Sequence, residues 1–163
     1  MESLVGDNIG LIHFLSSLLA LFFGSLILFL KKGTNSHKKM GYAYTLSMSI
    51  LLTTSFMMYR LFNGFGIFHY AAILSAVTLI LGMIPVLTKK PRTKWLIRHF
   101  SFMYWSVIGL YAAFVSEILT RIPETPFFSM VGLATVIIII LGTLFFLKNR
   151  KKWEIKYKYR GRK

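Results

Sequence analysis

The sequence predicts an all-α integral membrane protein of five transmembrane helices, with its N-terminus outside and its C-terminus cytoplasmic. Three observations carry that expectation. Eighteen of the twenty Lys and Arg residues fall in three short clusters: Lys31, Lys32, Lys38 and Lys39; Lys89, Lys90, Arg92, Lys94 and Arg98; and nine residues from Lys148 to Lys163. Long apolar runs separate the clusters, and Lys and Arg near membrane spans are retained on the cytoplasmic side. Finally, 55% of the residues are hydrophobic and the mean hydropathy is +0.61, so the apolar surface of a 163-residue chain faces lipid.

Five segments are long enough to cross a hydrocarbon layer of about 30 Å as helices. They are residues 9–30, 40–62, 69–87, 95–119 and 127–147. The first is preceded by Glu2 and Asp7 rather than by a basic region and has no small-residue cleavage site, so it reads as a retained span. The connections alternate in charge: KKGTNSHKK and TKKPRTK inside, NGFGIF and RIPETP outside. Links this short make sequential helices antiparallel neighbours. Gly33, Gly64, Gly66, Pro91, Pro123 and Pro126 mark the breaks, while Pro85 lies inside the third span, where a kink is expected.

The fifth span carries no ionisable group, whereas each of the first four carries one histidine at or near an end. The expected organisation is a four-helix antiparallel transmembrane bundle over 1–122, an added fifth helix over 123–147 and a basic cytoplasmic tail over 148–163. The formal charge of +15 needs no nucleic acid, because orientation accounts for nearly all of it. The expected counterions are anionic inner-leaflet lipids, held by residues 148–163. Without cysteine there are no disulfides, thiolate metal sites or thioether-linked haem.

The four histidines form two pairs under this topology: His13 and His69 towards the outside, His37 and His99 towards the cytoplasm. Each lies in the first turns of its helix, where the positive end of the macrodipole keeps imidazole neutral, as a ligand must be. Two imidazoles at each of two depths match two bis-histidine haem b sites for transmembrane electron transfer. Gly10 and Gly41, each one turn from a histidine, would admit a flat macrocycle. Lys38, Arg92 or Arg98 inside, with Arg60 or Arg121 outside, are candidate propionate partners. Zinc fits less well, since two imidazoles per face leave a tetrahedral site short of ligands. The alternative for these histidines is hydrogen bonding between helices.

Glu117 precedes Arg121 by four residues, the spacing of an intrahelical ion pair. A sharper expectation joins both to Arg60 and His69 as a quinone headgroup site. Met103, one turn beyond His99, is a candidate neighbour of the same ligand. No Walker loop, Gly-rich nucleotide fingerprint or HExxH occurs, and no span contains Asp, which speaks against a metal hydrolase.

Two stretches, KKGTNSHKKMGYAY with Gly33, His37, Gly41 and Tyr44, and RHFSFMYWSVIGLYAAFVSEILTR with His99, Met103, Ser106, Ala112, Ala113 and Arg121, resemble a family of bacterial membrane proteins catalogued as domain of unknown function 2306. The resemblance covers roughly residues 10–122. It implies a multi-pass protein of the bacterial inner membrane and brings no established activity. Lys38, Lys39 and Arg98-His99-Phe100 depart from a more arginine-rich pattern. Three function classes follow: a di-haem cytochrome or quinol oxidoreductase component with a redox protein partner, a non-catalytic subunit or scaffold of a larger membrane complex, and, ranked last, a transporter component. The last would want ionisable residues near the bilayer centre, and the middles of the spans are almost wholly apolar.

Overall fold

A computed structural model describes residues 7–59, 63–91, 94–122 and 126–160, and the described residues form five α-helices and no strand. Helix α1 is Asn8–Phe29, α2 Asn35–Ser55, α3 Ile67–Thr88, α4 Trp95–Leu119 and α5 Phe127–Arg160. All but α2 are long and apolar enough to cross a membrane. Their exposed surfaces carry rows of large apolar side chains, among them Leu11, Leu15, Leu18 and Phe22 on α1 and Leu133, Ile140, Leu144 and Leu147 on α5. That is the surface of a protein solvated by lipid.

Caps set the ends of the first two helices. Asp7 accepts the N–H of Gly10 at 2.8 Å at the start of α1. At its end, the Lys32 ammonium donates to the carbonyls of Ile27 and Leu28, where a cation meets the negative end of the helix. Gly33 turns the chain with φ +83°, and Thr34 then accepts the N–H of His37 to start α2. The second helix therefore begins five residues earlier than the expected span and stops at Ser55 rather than reaching residue 62. The cap at Thr34 overrides a boundary drawn from hydropathy alone.

The polarity of α2 is largely turned inward on its own backbone. Thr45, Ser47, Ser49, Thr53 and Ser55 each donate to the carbonyl four residues back. Such bonds satisfy the hydroxyl without water. α1 packs on α2. α1 buries a small-residue stripe of Ser16, Ala20 and Gly24, and α2 buries Tyr44, Ser47, Met48 and Leu51. Small residues of this kind let membrane helices approach closely.

The fifth helix also differs from expectation. It does not end at residue 147 but continues without interruption through the basic segment to Arg160. No Gly or Pro occurs between Gly142 and Gly161, and Lys and Arg are good helix formers. The chain separates into two compact units, Met1–Ala76 and Val77–Lys163.

Candidate functional site

In the first unit, His13 Nδ1 lies 3.2 Å from Thr54 Oγ1, so the ring bonds the last turn of α2. His69 follows the link after α2, in the first turn of α3, and its ring lies 6.4 Å from that of Phe56, the residue capping α2. His13 and His69 thus both lie where α2 terminates. His37 lies in the first turn of α2, at the opposite end of the helix, with its backbone N–H on Thr34.

The surroundings of His69 decide its chemistry. Its Nδ1 accepts the backbone N–H of Gly66 at 3.1 Å, and a backbone N–H can only donate. In a neutral imidazole the proton must then sit on Nε2. That nitrogen is buried and has no hydrogen-bond partner among the described residues. Tyr59 and Phe65 stack on the ring at 5.0 and 4.5 Å, and the side chain is 4% exposed.

In the second unit, His99 Nδ1 bonds the carbonyl of Gly82 at 2.8 Å, tying α4 to α3. The carbonyl can only accept, so Nδ1 is the donor. Met103 packs on the same glycine: a Cβ on Gly82 would lie 2.8 Å from Met103 Sδ. Met103 is thus a packing residue against α3. Around Gly41, by contrast, a Cβ would meet nothing within 4 Å.

The arrangement of the four histidines gives no support to two bis-histidine haem sites. His13 bonds Thr54 and His99 bonds the Gly82 carbonyl, while His69 turns Nδ1 to the Gly66 N–H. Among the described residues there is also no group of three or more His, Asp or Glu side chains able to hold a metal ion.

Arg121 donates to Glu117 at 2.6 Å across one helical turn, with side chains 45% and 34% exposed. This is the intrahelical ion pair that the spacing suggests. Arg98 lies in the first turn of α4. Arg60 and Arg92, offered above as anion partners, lie outside the described residues.

The α4 and α5 helices are the sequential neighbours that the short link predicts, but sequence reading missed the bonds that join them. The Tyr104 hydroxyl donates to the Gly142 carbonyl at 2.8 Å, and Ser116 bonds Thr135 Oγ1 at 3.2 Å and the Val131 carbonyl at 3.4 Å. A Cβ on Gly142 would lie 2.8 Å from Ile108 Cγ2, so only glycine admits this approach. Towards the start of α4, Trp153 meets Phe100, Tyr104, Phe145 and Phe146 with ring centroids 4.7 to 5.9 Å apart. The signal available in the sequence was a tyrosine and a mid-span glycine in adjacent helices, which spacing alone does not pair.

No curated protein and no solved structure matches the chain significantly. A family model described as Predicted membrane protein (DUF2306) matches residues 10–151, which takes in α5 as far as residue 151 and corrects the expectation that the fifth helix lies outside the resemblance. With lipid-facing helices and a match over most of its length, this chain belongs to the DUF2306 family of membrane proteins.

Proposed function

We propose that this protein is a non-catalytic, multi-pass subunit or scaffold of the bacterial inner membrane that assembles with larger partners. The observation that carries this reading is where the polar groups go. His13 bonds Thr54, His99 bonds the Gly82 carbonyl, Tyr104 bonds the Gly142 carbonyl and Ser116 bonds Thr135. Each bond joins two helices, the use that membrane proteins commonly make of such side chains. Polar groups committed to holding helices together support a structural role over a reactive one.

The topology proposed is five spans, N-terminus outside and C-terminus cytoplasmic. At 21 residues α2 is about 31 Å long, enough to cross, and its back-bonded hydroxyls lower the cost of doing so. If α2 did not cross, the Lys31 to Lys39 and Lys89 to Arg98 clusters would fall on opposite faces. With α2 as a span, all three basic clusters share the cytoplasmic side, as the retention of Lys and Arg requires. Anionic headgroups are the counterions for the first two clusters and for the first turn of the segment after Leu147.

An absorption spectrum of the purified protein from haem-replete cells, with His13→Ala and His99→Ala beside it, tests the reading. The expected result is no Soret band in any of the three. A Soret band in wild type that disappears in either variant would restore the cytochrome reading and remove this one.

A further inference from the structure

The imidazole of His69 makes one hydrogen bond and could make two. His69 is the third residue of α3, and its Nδ1 accepts the N–H of Gly66, which stands just before the helix. That is the place where a Glu or Gln side chain closes a capping box, so the ring serves as a cap and Nδ1 is held without a proton. The neutral ring then carries its hydrogen on Nε2. Nε2 is buried, as is the residue as a whole, and has no hydrogen-bond partner among the described residues. A buried donor left unpaired is costly, and such a group marks a place for something that accepts.

The surroundings select what takes that hydrogen. Tyr59 and Phe65 stack on the imidazole with interplanar angles of 26° and 28°, and Phe56 stands tilted at 6.4 Å. All three rings are uncharged, so an anion brought to Nε2 would be buried among them at high cost, whereas a neutral carbonyl oxygen would not. The rings also favour a flat partner, which adds to a stack as a glycerol ester cannot. Tyr59 and Phe65 are half-exposed, so the groups against His69 reach the protein surface. Met57, Ile67 and Tyr70, close to them in sequence, are exposed as well. This surface is apolar, and a lipid-soluble molecule meets it from the membrane.

We infer that His69 is the hydrogen-bond donor of a quinone-class binding site at the link from α2 to α3. Its Nε2–H donates to one carbonyl oxygen of the ligand, whose ring stacks on Tyr59 or Phe65. Nδ1 stays on Gly66, so binding leaves the start of α3 undisturbed. Nε2 is covered, so the ligand must displace a neighbouring ring, and the half-exposed Tyr59 and Phe65 are the ones with room to move. This is binding alone, beyond the structural role proposed above, and needs neither haem nor electron transfer.

The test uses the full-length protein in nanodiscs, with decylubiquinone as the probe and infrared difference spectra to read its carbonyl band. The expected results are saturable binding and a carbonyl band moved to lower frequency by the hydrogen bond. His69→Leu should lose the shifted band and weaken binding about tenfold, the effect of losing one hydrogen bond. His69→Gln caps Gly66 through its amide oxygen and donates through its amide nitrogen, so it should retain both the band and the affinity. Tyr59→Leu with Phe65→Leu keeps the donor and should weaken binding severalfold with the shifted band still present. Absence of saturable binding would leave Nε2 to a buried water and overturn the proposal, as would equal affinity in His69→Leu. Should His69→Leu fail to fold, an unshifted carbonyl band in the wild type is the result that overturns it. The nanodiscs are prepared with ester-linked and with ether-linked phosphatidylcholine. Quinone binding confined to the ether-linked discs would give the site to a phospholipid ester and overturn the assignment as well.

Discussion

The hydroxyl of Tyr104 on α4 donates to the carbonyl of Gly142 on α5 across 2.8 Å, in a site where Tyr104 is 3% exposed. The bond exists because Gly142 has no side chain: a Cβ there would strike Ile108, and the two helices would separate. One residue supplies the acceptor and the space in which it is reached.

Removing the hydroxyl isolates the bond. Tyr104→Phe should lower stability by about 0.6 kcal/mol, the average for hydrogen bonds between membrane helices, and by no more than about 1.7 kcal/mol. Thermal or denaturant unfolding in detergent would measure it. A variant as stable as wild type would show that the hydroxyl does nothing for the α4 and α5 contact.

Glycines that look alike in the sequence should respond differently. Gly142→Ala meets a β-branched isoleucine held in one rotamer and should cost about 1 to 3 kcal/mol. Gly82→Ala meets the flexible end of Met103, which gives way more cheaply, so its cost should be smaller. Gly41→Ala points into open space and should be neutral or stabilising by up to about 1 kcal/mol. The ranking of the three by unfolding midpoint is the check.

His99 should behave as a helix fastener. His99→Ala removes the donor to the Gly82 carbonyl and should destabilise by about 1 kcal/mol or more. Replacing Met103 by Ala should act on the same contact, so the two losses should fall short of additive in a double-mutant cycle. Strict additivity would place the residues in separate environments.

Glu117→Gln should matter little. The ion pair with Arg121 is between partly exposed groups on one helix, where such pairs contribute about 0.3 to 0.5 kcal/mol. A loss several times larger would reveal a further role for the carboxylate.

The sequence made the helices legible, because apolar runs of span length and clustered Lys and Arg are physical requirements of the bilayer. Gly33 as the turn after α1 and the Glu117–Arg121 pair were visible for the same reason: each depends on neighbours along the chain. The start of α2 escaped because hydropathy does not report a cap, and Thr34 sets that boundary. The continuation of α5 escaped because charge was read as the end of the helix, although Lys and Arg only end its passage through lipid. The histidines were found, with haem ligation and hydrogen bonding between helices as their two readings, and spacing alone did not choose between them. Whether an imidazole is a ligand or a donor depends on partners such as the Gly66 N–H and the Gly82 carbonyl. Which backbone group meets a ring across helices is a matter of packing, not of spacing.

The crossing of α2 bears most directly on the account, because the shared cytoplasmic face of the basic clusters depends on it. The chain has no cysteine, so single thiols at Lys38→Cys and Asn63→Cys can be read with a membrane-impermeant maleimide in spheroplasts. The account predicts labelling of position 63 in intact spheroplasts and of position 38 only after permeabilisation. Equal labelling of both positions before permeabilisation, or of neither until permeabilisation, would place the two ends of α2 on one side and contradict the five-span topology.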